Sequence, residues 1–231
     1  MGSDWLSRLR ERASRKNKKS RRLSHRRFQD RRPSHAETLE QRTLLTVNTL
    51  FTQGDLTIVS DNADDIVIGA DSMTGLVTLD VNGVADPAFP IILANQVESL
   101  LIVGSDSENT IDLSGITSTA FSFMDTNGGI TIEVDAGNGD DTLIGSPDIA
   151  ATLRGGDGND IITSTAPADT IFAGDGADTV TGGDGNDSII AGDGDDVVTG
   201  DAGDDVISGD NGADSISCLL YTSDAADELL G

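Results

Sequence analysis

The stretch "GGDGNDSIIAGDGDDVVTGDAGDDVIS", residues 182–208, combines eight aspartates with aliphatic residues that recur at every ninth position. Ile189, Val198 and Ile207 mark this period, and Gly and Asp fill most of the positions between them. Like charges at this density repel one another, whereas aliphatic residues at a fixed spacing are typical of a packed core. The stretch therefore predicts a repeated unit in which charged and aliphatic residues occupy separate positions.

The nine-residue period extends over residues 136–217. A first unit at 136–144 is followed by a ten-residue imperfect unit, 145–154, and then by seven uninterrupted units that start at 155. Position 6 of the eight nine-residue units is always Asp: Asp141, Asp160, Asp169, Asp178, Asp187, Asp196, Asp205 and Asp214. Position 8 is always aliphatic: Leu143, Ile162, Ile171, Val180, Ile189, Val198, Ile207 and Ile216. Such a phase predicts a stacked repeat rather than a disordered Gly/Asp linker.

Charge divides the chain into two unlike parts. Fourteen of the 15 Lys and Arg lie in the first 42 residues together with five acidic residues, which gives about +9 there and about −34 for the remainder of the −25 total. The acidic part is a poor candidate for binding nucleic acid or anionic lipid and a good candidate for binding cations. One cysteine, Cys218, excludes a disulfide framework, and no apolar run approaches the length of a membrane span.

The residue types in each unit suit calcium. Calcium takes six to eight oxygen ligands and accepts carboxylates together with backbone carbonyls. Glycines at positions 1, 2 and 4 allow positive φ, so that a tight turn directs its carbonyl oxygens inward, and a short Asp at position 6 reaches an ion held by its own turn. Candidate ligand-forming glycines are Gly156, Gly158, Gly174, Gly176, Gly183, Gly185, Gly192 and Gly194. At position 3, Asp157, Asp175, Asp184 and Asp193 are either further ligands or a solvated anionic rim.

The pattern G-G-x-G-x-D-x-U-x, with U aliphatic, resembles the RTX, or hemolysin-type, calcium-binding repeat. The resemblance covers residues 136–217 and implies a parallel β-roll in which two nonapeptides form one coil. It also implies that each ion lies between repeats n and n+2, which gives five pairs for the seven units from 155 and about four to five Ca²⁺ ions. The unit at Ser164 departs from the pattern with Thr165 and Pro167, so a site that uses Asp169 and Asp187 is doubtful.

Folding and calcium binding are expected to be one event. The narrow row of position-8 side chains buries little apolar surface, and the carboxylates repel one another, so the cation must supply part of the folding free energy. The low calcium concentration of the cytosol would keep the chain extended, and millimolar calcium outside the cell would fold it.

Residues 48–135 are predicted to be β-rich, because short runs of Val, Ile and Thr alternate with Gly, Asp, Asn and Ser. Two segments, 60–68 and 104–112, resemble degenerate copies of the repeat, since each has Asp or Asn two residues before an aliphatic residue. A solenoid-like flank is therefore favoured over an independent β-sandwich. The predicted fold class is all-β: a parallel β-roll preceded by this flank and by a disordered basic N-terminus.

The two ends of the sequence differ from the rest. Residues 1–47 are rich in Arg and Lys, which predicts a disordered leader, and the ending "LEQRTLLTV" resembles the leaders of planctomycete-type secreted surface proteins. Residues 218–228 resemble the in-frame translation of a sequencing adapter, so residues 218–231 are expected to be a non-native tail and the natural protein to continue past Ser217.

Catalysis finds no support in the motifs. Both histidines, His25 and His35, lie in the basic prefix, and neither a metalloprotease motif nor a G-x-S-x-G motif is present. The favoured function is a calcium-binding structural or adhesive segment of a larger bacterial protein, secreted or at the cell surface. Two alternatives stay open: the secretion-and-folding module of an exported hydrolase, and a calcium buffer or mineral-binding surface.

Overall fold

The described residues form a two-sheet solenoid. The computed structural model describes residues 47–86, 89–121, 130–166 and 168–219, which belong to one compact unit, Leu44–Gly231. Sheet A contains, in spatial order, β1 (Val47–Thr52), β2 (Asp55–Ser60), β6 (Ser99–Val103), β8 (Thr131–Asn138), β10 (Ala151–Asp157), β12 (Thr170–Asp175), β14 (Ser188–Asp193) and β16 (Val206–Asn211). Sheet B contains β17 (Ser215–Leu219), β15 (Val197–Ala202), β13 (Thr179–Thr181), β11 (Ile161–Thr163), β9 (Thr142–Ile144), β7 (Thr110–Gly115), β3 (Asp65–Ala70), β4 (Val77–Val81) and β5 (Val84–Ala85).

From β8 onward the chain alternates between the two sheets, and each strand pairs in parallel with the strand one coil further along. One coil of the regular repeat spans 18 residues, as the pairs Ile171 with Ile189 and Val180 with Val198 show. Two nonapeptides therefore make one coil, as the resemblance implied, and the all-β parallel roll is confirmed. Among the described residues, the one helical element is a 3₁₀ turn at Ala94–Gln96.

Two aliphatic ladders fill the space between the sheets. Because side chains alternate along a strand, one row of each strand points inward. In sheet A the inward row runs through Ile58, Ile102, Val134, Leu153, Ile171, Ile189 and Ile207. In sheet B it runs through Ile66, Ile111, Leu143, Ile162, Val180, Val198 and Ile216. The predicted stacking of position-8 residues is thus confirmed, and burial lapses only at the last coil, where Ile216 is 48% exposed.

The flank belongs to the same solenoid. Strands β2 and β6 precede β8 in sheet A, and β3 and β7 precede β9 in sheet B, so one core continues from the flank into the repeats. The segments 60–68 and 104–112 occupy turn positions equivalent to those of the repeats, with Ile66 and Ile111 in the sheet B ladder. The favoured solenoid flank is confirmed over the independent sandwich.

The flank end of the stack carries antiparallel strands. β1 pairs antiparallel with β2, and β4 pairs antiparallel with β3 and with β5. These strands cover the parallel edges that β2 and β3 would otherwise present to solvent. β1 and β5 are therefore the edge strands of the two sheets, and the parallel stack ends here in antiparallel strands of the same chain.

Strand length differs between the two sheets. In sheet B, β9, β11 and β13 are three residues long and occupy positions 7–9, whereas the sheet A strands β10, β12 and β14 continue through positions 1–3 of the next unit. They do so because the first turn residues stay in register between coils, as Gly156 with Gly174 shows. β17 continues past the last nonapeptide to Leu219, because backbone pairing does not depend on side-chain identity.

The basic leader 1–47 lies outside the described residues except for Val47, and the tail 218–231 does so except for Cys218 and Leu219. Within the described part of the chain, no helix has the length and apolarity that crossing a membrane requires.

Candidate metal centres

Turns connect the two sheets along both edges of the roll. We name the turns that lead from sheet A to sheet B the A-to-B turns: residues 60–64 and 104–109 in the flank, then 136–141, 155–160, 173–178, 191–196 and 209–214. The B-to-A turns are residues 145–150, 164–169, 182–187 and 200–205. The turns that match the Gly/Asp pattern best therefore lie mainly on the A-to-B edge, because every second nonapeptide turns on the same side of the roll.

Glycine at positions 2 and 4 suits a backbone that has positive φ in most of these turns. Gly156 has φ +125° and Gly158 φ +136°, values that side chains rarely allow. A Cβ at Gly156 would overlap the carbonyl oxygen of Gly137, and a Cβ at Gly174 would overlap that of Gly156. Glycine carbonyl oxygens thus follow one another from coil to coil along the A-to-B edge. The other predicted glycines, Gly174, Gly176, Gly183, Gly185, Gly192 and Gly194, also have positive φ.

The aspartate at position 6 links successive coils. Asp178 Oδ1 accepts a hydrogen bond from the backbone N–H of Asp160 at 2.7 Å, and Asp196 Oδ1 accepts one from Asp178 at 2.8 Å. The same bond recurs for the other repeat turns, with Asp160 on Asp141, Asp187 on Asp169, Asp205 on Asp187 and Asp214 on Asp196. One carboxylate oxygen of each aspartate therefore has a structural role that does not involve a cation.

The other oxygen of these carboxylates is buried without a hydrogen-bond donor. Across the described ranges this holds for Oδ2 of six aspartates: Asp141, Asp160, Asp178, Asp187, Asp196 and Asp205. Five of the six residues are 1% exposed, and Asp205 is half-buried. A buried carboxylate oxygen without a partner is costly, so each of these positions calls for a proton or a cation.

The oxygens around these carboxylates fit calcium. A Cβ added at Gly182 would lie 2.8 Å from Asp187 Oδ2 and 3.0 Å from the carbonyl oxygen of Gly200 in the next coil, so the two oxygens converge beside Gly182. Asp160 Oδ2 and the carbonyl oxygen of Ala173 converge in the same way beside Gly155. Among the described residues, no three His, Cys, Asp or Glu side chains form a metal-binding group, so a cation here would take carbonyl ligands as well. Such an oxygen set suits a hard cation like calcium.

The comparisons with known proteins agree with this geometry. A family model described as the RTX calcium-binding nonapeptide repeat (4 copies) matches residues 133–148, 154–189 and 181–216. Residues 133–216 carry RTX calcium-binding repeats. The comparisons with curated proteins and with solved structures gave no match. The RTX repeats thus indicate calcium binding in a β-roll for this segment.

The position-3 aspartates of the RTX repeats lie at the surface. Asp157, Asp175 and Asp193 pair in register along the A-to-B edge, and Asp184 lies on the other edge. All four are exposed, and Asn211 Nδ2 donates to Asp193 Oδ1 at 2.6 Å. They form an anionic rim outside the buried carboxylates, and a direct role as calcium ligands stays a prediction.

The unit at Ser164 differs as its sequence suggested. Asp169 is 1% exposed, yet its Oδ2 accepts a hydrogen bond from the Ser164 hydroxyl, so it is absent from the six unpartnered oxygens. Ser164 was not among the predicted site residues, although a hydroxyl at position 1, where other repeats have Gly or Ala, was the available signal. The unit at 200 also departs from the pattern, because Asp201 stands at position 2 with φ +63°.

Burial raises the pKa of several position-6 carboxyl groups. Desolvation, with a smaller contribution from neighbouring carboxylates, raises the pKa of Asp160 to about 7 and those of Asp141, Asp178 and Asp187 to about 6. Burial also raises the pKa of Asp169. The backbone hydrogen bond that each accepts only partly offsets the effect. Without a cation, these carboxyl groups of the folded RTX repeats therefore keep their protons at pH values where the same groups of the unfolded chain have lost them.

We predict that acid stabilises the calcium-free RTX repeats. Between the ordinary aspartate pKa of 3.8 and the raised values of about 6 to 7, the folded state binds more protons than the unfolded state, so stability falls as pH rises through that window. Circular dichroism in calcium-depleted buffer should show more β structure at about pH 5 than at about pH 7.5. Stability that rises with pH across this window would contradict the burial of these carboxylates.

Replacement of a position-4 glycine should destabilise the roll. Gly176→Ala forces a Cβ into φ +137° and onto the carbonyl oxygen of Gly158, which we expect to cost roughly 1–3 kcal/mol. Gly182→Ala is the comparison variant: Gly182 is outside the left-handed region, and its added Cβ would lie 2.8 Å from the Asp187 carboxylate instead of overlapping a backbone oxygen, so we expect a smaller loss. Thermal unfolding in calcium measures both. Equal unfolding temperatures for the two variants would count against the close approach of the coils.

Proposed function

We propose that the RTX repeats bind five calcium ions between stacked turns. Each ion would lie where an unpartnered Oδ2 faces a turn of the next coil. Four such places lie on the A-to-B edge, at Asp141, Asp160, Asp178 and Asp196, and one lies on the B-to-A edge, at Asp187. The resemblance would also place an ion between the turns 164–169 and 182–187. We replace that site by one between the turns 136–141 and 155–160, because the Ser164 hydroxyl already donates to Asp169 Oδ2.

In this proposal the position-6 aspartates are direct ligands, and carbonyl oxygens of the glycine turns complete each site. Asp205 and Asp214 hold the neighbouring turns by accepting N–H groups from the coil before them. The exposed position-3 aspartates raise the local calcium concentration through their negative charge. The single observation that carries the proposal is the row of buried carboxylate oxygens without hydrogen-bond donors.

We further propose that this calcium-dependent segment works outside the cell as a structural and adhesive part of a larger secreted or surface protein. Extracellular calcium at about 10⁻³ M suits weak sites of this kind, whereas the cytosol would leave the carboxylates without their cation. The resemblance of the leader to those of exported surface proteins supports the location. We propose a structural rather than a catalytic role. In this proposal the chain consists of a leader (1–47), the flank (48–135) and the RTX repeats (136–217).

Counting bound calcium in the full chain tests the proposal. Equilibrium dialysis should give about five ions whose binding coincides with a gain of β structure. Asp187→Asn should remove one ion, whereas Asp169→Asn, in the preceding B-to-A turn, should leave the number unchanged because Ser164 satisfies that carboxylate. Many weakly bound ions without any change in circular dichroism would instead indicate a calcium buffer and overturn the proposal.

A further inference from the structure

The turns of this solenoid fall into two classes. In the first class, the buried position-6 group has an oxygen without a donor, as in the six aspartates described above. In the second class, side chains and backbone of the same chain satisfy the position-6 group fully. We name these the self-satisfied turns. They contain Asp64, Asn109 and Asp169, each at most 3% exposed.

The two flank turns are both self-satisfied. Asp64 Oδ2 accepts from the Ser60 hydroxyl at 2.7 Å, and its Oδ1 accepts from Asn82 Nδ2 at 2.8 Å. At the next coil the position-6 residue is neutral, because Asn109 replaces Asp. Its Oδ1 accepts from the N–H of Ser105 at 2.8 Å, and its Nδ2 donates to the carbonyl oxygen of Asn62, also at 2.8 Å. Neither turn retains a buried charge that requires a cation.

The flank also supplies the contact on which the first calcium-dependent turn rests. The backbone N–H of Asn109 donates to Asp141 Oδ1 at 2.6 Å, which is the same bond that links Asp160 to Asp178 further along. The aliphatic ladders continue across this junction, with Ile111 next to Leu143. Because every position-6 aspartate accepts from the coil before it, each coil needs a formed predecessor.

From these contacts we infer that residues 47–121 fold without calcium and form a base on which the calcium-dependent coils assemble in chain order. The inference rests on the proposed function, since it takes the unpartnered oxygens as the reason for the calcium requirement. At the far end of this base the outermost strands are antiparallel, so the parallel coils continue only from the side of β6 and β7. A stack that starts from one formed coil avoids the unfavourable step of nucleating in solution.

Hydrogen exchange on the full chain tests the inference. In chelator, amides of β6 and β7 should stay protected while amides of β12 to β15 exchange rapidly; in millimolar calcium both sets should be protected. Loss of protection in β6 and β7 together with the RTX repeats would overturn the inference and leave the calcium-dependent fold intact. Protection of β12 to β15 in chelator would overturn the proposed function as well, because the unpartnered oxygens would then need no cation.

A serine introduced at position 1 tests whether a hydroxyl donor can replace the cation. Gly182→Ser places a hydroxyl at position 1, as Ser164 does one coil earlier, where it can donate to Asp187 Oδ2. We expect one calcium ion fewer per chain with the β structure retained in calcium. Gly182→Ala adds the same Cβ, which also lies 2.8 Å from Asp187 Oδ2, so it measures the effect of the methyl group alone. An equal loss of ions in the two variants would assign the loss to the methyl group and overturn the inference. An unchanged number in Gly182→Ser would show that a hydroxyl donor does not replace the cation and would overturn the inference.

Discussion

Depletion of calcium at neutral pH is expected to unfold the RTX repeats and abolish most of their β-sheet circular dichroism. The reason is the set of six buried carboxylate oxygens without donors, which repel one another along each edge once no cation or proton lies between them. Addition of calcium should restore the signal in a cooperative transition with a midpoint of about 10⁻⁴ to 10⁻³ M, the range of extracellular calcium modules.

Magnesium is the control for this transition. It prefers near-ideal octahedral geometry and keeps several of its waters, so a compact site built from carbonyl and carboxylate oxygens should favour calcium. Magnesium at the same concentration is therefore expected to leave most of the signal unrestored. Spectra that are identical in chelator and in calcium would remove the basis for a calcium-dependent fold.

The second large effect is expected from Asp178→Asn. The amide keeps an oxygen that can accept from the Asp160 N–H, but it removes the negative charge from the buried Oδ2 position. If the carboxylate pairs with a cation, the loss of one partner of a buried ion pair should lower stability in calcium by roughly 3–5 kcal/mol. Urea unfolding at fixed calcium concentration measures the change.

Asp175→Asn is the matched control, because Asp175 lies three residues earlier in the same turn and is exposed. An exposed substitution should change stability by no more than about 0.5 kcal/mol. Equal losses in the two variants would mean that the exposed rim binds calcium as directly as the buried carboxylates do. A small loss in both would contradict the ion-pair role of Asp178.

The nine-residue phase made much of the fold predictable from sequence. Position 8 had to be the inward residue because it is the one invariably aliphatic position, and the ladder from Leu143 to Ile216 follows directly from it. Gly156 and Gly158 were predictable for a similar reason, since a turn that repeats at the same place needs the same backbone freedom each time. Because the same residue types recur at the same positions in every unit, a structural preference that is weak in one unit becomes a firm prediction for the whole segment.

Other features depend on contacts between distant residues and carry little local signal. Ser164 is one serine among many until the coil places its hydroxyl against Asp169. The neutral side chain of Asn109 donates to the carbonyl oxygen of Asn62, which lies a full coil away in the flank.

The 18-residue coil also limits how such a protein can change in length over evolution. Loss or gain of one nonapeptide would move every later turn to the opposite edge and place Gly/Asp turns over turns of another kind. Loss or gain of two nonapeptides leaves every later turn on its own edge. Viable relatives of this roll should therefore differ in length by steps of 18 residues, and duplication of a single repeat should be selected against.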